Sequence, residues 1–253
     1  MVELIYDGSF EGLFTAIFET YSRKLTAVKI SRAGTEQALL FGEQITVYTD
    51  ATQAQRVWKK LQVLIGWEGL HSIRQVYLSE IPEMEQVILG TVRYALLQGQ
   101  DVLSDYGHPD ILRLRQIARM VHREKHRMEA FVRFQLTKDE LYYSVIDPDF
   151  NVLPLILAHF EGRYADQRWL IYDQRRKYGI YYDLHTTAFV DLTPDVALDQ
   201  PGMEILNEEE PLYQLLWKDY FHHVNIPSRK NTKLHLQHVP KRYWKYLTEK
   251  RGI

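Results

Sequence analysis

The sequence contains no cysteine. That excludes a disulfide framework, a thiolate zinc site, an iron–sulfur cluster held by Cys of this chain alone, and a cysteine nucleophile. It is compatible with a reducing compartment. The sequence also lacks any run of about 18 apolar residues, so no membrane-spanning helix is expected. The opening Met1-Val2-Glu3-Leu4-Ile5-Tyr6-Asp7 carries an acid at its third residue and no basic leader region. A soluble, cytoplasmic protein with no membrane partner is the expectation. Internal repeats and low-complexity tracts are missing too. So are G-x-G-x-x-G, G-x-x-x-x-G-K-[ST] and G-x-S-x-G, the fingerprints of nucleotide cofactors and of hydrolase nucleophiles. The residues by themselves therefore name no reaction.

What remains is a 253-residue chain, 45% apolar, with enough material for a sizeable core. Val2–Tyr6 reads as a strand and Asp7-Gly8-Ser9 as a turn, with Ser9 capping a helix. Phe10, Leu13, Phe14, Ile17, Phe18 and Tyr21 mark that helix's apolar face. Leu25–Ser31 and Gln44–Tyr48 read as strands. Asp50 with Gln53 resembles a capping box opening a helix to about Leu64. Another helix lies between Pro82 and Gly99, and a third runs from about His108-Pro109 to Arg127. The texture then changes. Ala130–Phe134 and Leu141–Val145 predict a β-hairpin, and Asn151–Phe160 a helix. Trp169–Tyr172, Gly179–Asp183 and Thr187–Val190 predict three strands. Helix returns at about Pro211–His222 and Lys241–Lys250. The expected fold class is α+β: a helix-rich N-terminal half, then a C-terminal half with a small antiparallel sheet and flanking helices. The expected division is a helix-rich α/β region over residues 1–105 and an α+β domain over 106–253, with a single domain as the alternative.

The net charge of −2 hides an asymmetry. Residues 193–211 carry acids and no bases. Residues 212–253 carry nine bases, among them Arg229, Lys230, Lys233, Arg242 and Lys245, against only Asp219 and Glu249. A second basic feature is Arg115, Arg119, Arg123 and Arg127, at every fourth residue of one predicted helix. At about 1.5 Å per residue that row spans about 18 Å. This is the length of about five nucleotides of a DNA strand. Arginine's planar fork suits phosphate. A solvated helix face with ion pairs, helped by Glu124, is the alternative. In the tail, Trp217, Tyr220, Phe221, Tyr243, Trp244 and Tyr246 interleave with the bases, as in a single-strand groove. Their helical spacing instead favours core packing for most of them.

Metal chemistry finds little footing. His122 and His126 are four residues apart, but the motif is not H-E-x-x-H and neighbouring cations oppose a metal. On a helix the adjacent His222 and His223 diverge. His159 and Arg163 near one helix end, with Asp173 and Arg176 near a strand end, form a possible polar cleft. There His159 or Asp173 would act as general base and the two Arg would stabilise charge. Local capping and turn chemistry is the competing reading. Asp7, at the end of the first strand, fits helix capping better than a site.

Several runs resemble one family. They are Ala130-Phe131-Val132-Arg133-Phe134, His159-Phe160 followed by Arg163, Trp169-Leu170-Ile171-Tyr172-Asp173, Arg229-Lys230-Asn231 and Pro240-Lys241-Arg242-Tyr243-Trp244. The opening Tyr6–Gly12 matches as well. The family is one of DNA metabolism and DNA repair proteins that pair with a radical-SAM protein. A related C-terminal domain is fused to UdgX-type uracil-DNA glycosylases. The resemblance implies a DNA-binding component of a repair or modification system, acting on single strands or on a base flipped from the duplex. It implies no cofactor in this chain, with the iron–sulfur cluster and S-adenosylmethionine on the partner. It carries over no catalytic residues. Phosphate contacts would fall to Arg115, Arg119, Arg123, Arg127, Arg229, Lys230, Lys233, Arg242 and Lys245, and a base or sugar contact to Asn231. The alternatives are a glycosylase-like or nuclease-like hydrolase using His159 or Asp173, and a protein-interaction adaptor.

Overall fold

The computed structural model describes residues 1–35, 42–191, 206–224 and 236–250. The chain forms two compact units, Met1–His122 and Arg123–Ile253.

The first unit is built on three parallel strands, β1 (Val2–Tyr6), β2 (Val28–Arg32) and β3 (Glu43–Thr46), in the order β2-β1-β3. Leu4 in the centre pairs with Ile30 and Ile45. Between β1 and β2 runs α1 (Phe10–Ser22), and Ser9 caps it by accepting the Gly12 N–H at 2.9 Å. Leu13, Phe14 and Ile17 lie on its buried face, and each such side chain contributes about 1.5–3 kcal/mol of burial. Asp7 accepts the Ser9 N–H (2.9 Å), the Ser9 hydroxyl (2.6 Å) and the Thr49 hydroxyl (2.8 Å). Its carboxylate thus ties the β1–α1 turn to the loop after β3.

Helix α2 (Ala51–Leu78) starts where expected, with Asp50 accepting the N–H groups of Thr52 and Gln53. Only that half of the capping box forms, because the Asp50 N–H goes to Thr15 instead. The helix does not stop at Leu64. It kinks at Gly66 (φ 63, ψ −171) and resumes to Leu78, where Leu70, Ile73 and Val76 are buried. Helix α3 (Met84–Gln98) ends on Gly99, whose left-handed backbone (φ 66) lets its N–H reach Ala95 O. Helix α4 (Pro109–Phe131) outlasts the sequence expectation by one turn.

That extra turn corrects the predicted hairpin. Ala130 and Phe131 are helical, since Met128 continues the buried row of Leu114, Ile117 and Val121. The first hairpin strand lies instead just after Phe134, as the two-residue β4 (Gln135–Leu136). In the second unit β4 and β5 (Tyr142–Ile146) are joined by α5 (Leu153–Arg163), β6 (Trp169–Asp173), β7 (Tyr178–Tyr182) and β8 (Thr187–Asp191). The sheet order follows the chain. It is not purely antiparallel: α5 crosses over from β5 to β6, so that pair is parallel, while the others run antiparallel. Trp169, Ile171, Ile180, Ile156 and Phe160 fill its core.

Two more expectations change at the C-terminal end. Helix α6 (Glu210–Val224) forms, but its aromatic stripe is not core: Tyr213 and Tyr220 are exposed. Of the stripe, Trp217, itself 38% exposed, reaches the rest of the unit by donating to Glu249 at 2.8 Å. Lys241–Tyr246 and Thr248–Lys250 are 3-10 turns, not one α-helix. Leu247 between them takes extended backbone angles, and closure is by i→i+3 bonds such as Tyr243 N–H to Pro240 O.

Candidate nucleic-acid interface

In the second unit, the carboxyl ends of β5 and β6 carry two turns rich in charge. Asp147-Pro148-Asp149 follows β5, and Asp173-Gln174-Arg175-Arg176 closes β6 into β7. Asp173 is wholly buried. One oxygen accepts the N–H groups of Arg175 (2.9 Å) and Arg176 (3.0 Å), and the other accepts Arg176 Nη1 at 2.9 Å. Burial raises its pKa, and Arg176 partly offsets the rise. Arg176 also donates to the carbonyls of Pro148 (3.2 Å) and Asp149 (3.1 Å), stapling one turn to the other.

The 3-10 segment Lys241–Tyr246 lies across these turns. Arg242 Nη2 meets Asp149 at 2.6 Å and Glu124 at 3.3 Å. Lys245 Nζ meets Asp147 at 3.7 Å. Arg175 bridges Asp147 (3.0 Å) and Asp149 (3.8 Å). Tyr246 donates to Gln174 at 2.9 Å. Below them sits Glu124, which accepts the Tyr243 hydroxyl, Arg127 at 3.4 Å and the Asp149 N–H at 2.9 Å. Its burial satisfies a rule: a carboxylate taken from water must be paired and hydrogen-bonded.

The charges are layered. The side chains of Arg175, Arg242 and Lys245 are 49%, 45% and 56% exposed, whereas those of Asp147 and Glu124 are 27% and 2% exposed. Cations form the rim and carboxylates hold them from beneath. Burial works against the Arg242 charge, but Tyr243, Glu124 and Asp149 outweigh it and leave its pKa above the usual value. Beside the rim, Trp244 carries Lys241 (5.9 Å) and Lys250 (5.4 Å) over its ring, and Lys245 lies 4.6 Å over Tyr246.

The arginine row of α4 divides into two kinds. Arg115 pairs with Glu68 at 2.7 Å and donates to Leu103 O. Arg127 pairs with Glu124 and reaches Gln237 O. Arg119 and Arg123 are exposed and have no ion-pair partner among the described residues. His159 is 36% exposed and lies 3.9 Å from Glu129, while Arg163 covers the Tyr164 ring at 5.8 Å. The contacts of His159 and Asp173 involve different residues, so the two form no shared dyad. His126 also faces Glu129, at 3.6 Å. No group of three or more His, Asp or Glu suited to a metal occurs among the described residues. Arg229, Lys230, Asn231 and Lys233 lie outside the described residues.

Sequence reasoning missed Arg175, Asp147 and Asp149, and took Glu124 only as an ion-pair partner on the arginine helix, which its contact with Arg127 bears out. Asp-Pro-Asp after a strand and the paired Arg175-Arg176 were its only signals, and each alone reads as a turn.

A family described as a domain of unknown function, DUF4130, matches residues 82–249. The chain belongs to this family. The DUF4130 match opens at the start of α3 and closes in the last 3-10 turn, so it contains the whole charged rim. No curated protein matches the chain.

Proposed function

We propose that this DUF4130 protein binds DNA through the rim formed by Arg175, Arg242 and Lys245, as a component of a repair or modification system that includes a radical-SAM protein. The rim carries the reading. Three exposed cations converge at the end of a parallel strand pair, and they are held there by buried or half-buried carboxylates. Cations fixed in this way present phosphate with donors whose ordering entropy is already spent. Trp244 and Tyr246 beside them offer ring faces now covered by lysine side chains. Bases stack on such faces in single-strand grooves. Arg119 and Arg123, exposed and without an ion-pair partner among the described residues, add phosphate contacts along α4. The link to a radical-SAM partner and to UdgX-type glycosylases rests on the sequence resemblance. In that arrangement the partner holds the cluster and S-adenosylmethionine, and this chain brings DNA. The hydrolase reading has no comparable support, because Asp173 is sealed into its turn and His159 stands beside Glu129.

The test is fluorescence anisotropy of the full chain on single- and double-stranded DNA across a salt series. The expected result is affinity that falls with salt, with Lys245→Ala reducing the log–log slope by about one. Reversing Arg119 and Arg123 should lower affinity and flatten the slope further. Absence of binding at low salt rejects the proposal.

A further inference from the structure

Helix α6 presents an apolar face that the described residues of its own unit leave exposed. Its inner row is Glu210, Gln214 and Trp217. Glu210 accepts the Leu136 N–H at 2.9 Å, Gln214 donates to Glu210 at 3.1 Å, and Trp217 donates to Glu249 at 2.8 Å. The outer row starts with Leu212 and Leu216, which recur at i and i+4, and continues through Asp219 to His223. Leu215 and Tyr220 flank it. Leu212, Leu215, Leu216 and Tyr220 are 54%, 62%, 55% and 60% exposed. A contiguous group of this kind is unusual on a monomer's surface and marks an interaction site.

The charges around that face say what fits. Its N-terminal end is acidic, with Glu208 and Glu209 exposed, and toward its C-terminal end it carries exposed Lys218 and His223, the latter 3.4 Å from the exposed Asp219. Nucleic acid is disfavoured by the acidic end. A second α6 running antiparallel fits the face. With the twofold axis at Leu216, that leucine meets its own copy, Leu212 faces Tyr220 of the second copy, and Glu209 faces His223. The two helix dipoles oppose, and each Glu209 carboxylate can accept a hydrogen bond from His223 of the other copy. The face is therefore complementary to itself, which is the requirement of an isologous twofold contact. We infer that the protein self-associates through antiparallel pairing of α6, with Leu216 at the axis. The inference stands independently of DNA binding.

Sedimentation equilibrium of the full chain from about 1 to about 200 µM tests it. The expected result is a concentration-dependent rise from the 30.0 kDa monomer to a species of twice that mass. Leu216→Glu should weaken association about thirtyfold or more, as loss of a central apolar contact does. Should that variant fold poorly, surface charge supplies the same test. Glu209→Lys or His223→Glu alone should weaken the dimer several-fold, and the two together should restore it. The absence of native cysteine allows a geometric check. Oxidation should link Leu216→Cys chains rapidly, but not Leu97→Cys chains, although Leu97 is 80% exposed on α3. A mass of 30.0 kDa at every concentration overturns the inference. So does a dimer indifferent to all of these changes, or equal cross-linking at the two cysteines.

Discussion

Tyr243 illustrates how one side chain sets the geometry of the rim. Its ring packs 5.5 Å from Phe131, and its hydroxyl binds the buried Glu124 carboxylate, which in turn holds Arg242. Burial and Glu124 together raise its pKa, so the hydroxyl keeps its proton and remains a donor. Tyr243→Phe keeps the ring but leaves Glu124 short of one hydrogen bond. The expected cost is about 1–3 kcal/mol, read from urea unfolding. Asp147 makes the opposite case. It holds Arg175 and Lys245 from beneath, and it also competes with any phosphate for them. Asp147→Asn keeps the shape and removes that competition. DNA affinity in anisotropy should rise several-fold at low salt, and a fall would count against the rim as the phosphate site. Spacing along the chain made the cations at 242 and 245 legible. Their counter-charges were not, because Asp147 and Glu124 lie about a hundred residues or more away in sequence.

At the scale of elements, α2 and the C-terminal turns depend on features with opposite visibility. Gly66 holds φ 63 and ψ −171 inside α2, a region that residues with a Cβ avoid. An added Cβ would meet nothing within 4 Å. Gly66→Ala should therefore cost about 1–3 kcal/mol of backbone strain alone, seen as a lower midpoint in thermal unfolding. A clash at that site would have cost more. Glu249 joins three elements: Arg133 after α4 binds it at 2.9 Å, and Trp217 of α6 donates to it from the other side. Burial opposes its charge, but Arg133 and Trp217 prevail and hold its pKa below the ordinary 4.5. For a carboxylate depressed by folding, the stabilisation is complete above the unfolded value and disappears as pH falls through the folded one. Glu249→Gln should therefore lower stability at neutral pH and flatten the loss of stability below 4.5, which urea midpoints at a series of pH values will show. Element identity was largely legible from periodicity and caps. The hairpin misreading came from Ala130–Phe134, which alternates by chance: α4 still runs through Ala130 and Phe131, and the strand begins only at Gln135.

At the scale of the molecule, charge is nearly balanced. Residues 123–253 hold nineteen basic and nineteen acidic side chains, so no net field of that unit draws DNA toward it. For the proposed DNA binding, phosphate contact would come from local separation of sign, and the salt slope should correspond to about five phosphates, one for each of Arg175, Arg242, Lys245, Arg119 and Arg123, rather than a long basic track. The sequence alone determined the strands and helices whose apolar spacing is unambiguous, the caps at Ser9, Asp50 and Gly99, and the exclusion of Cys-based chemistry. These follow from short-range periodicity and from composition. Tertiary structure decided the rest: the parallel pairing of β5 with β6, the burial of Asp173, the outward face of α6 and the layering of cations over carboxylates. Each depends on which residues distant in sequence share one low-dielectric neighbourhood, and no local pattern encodes that.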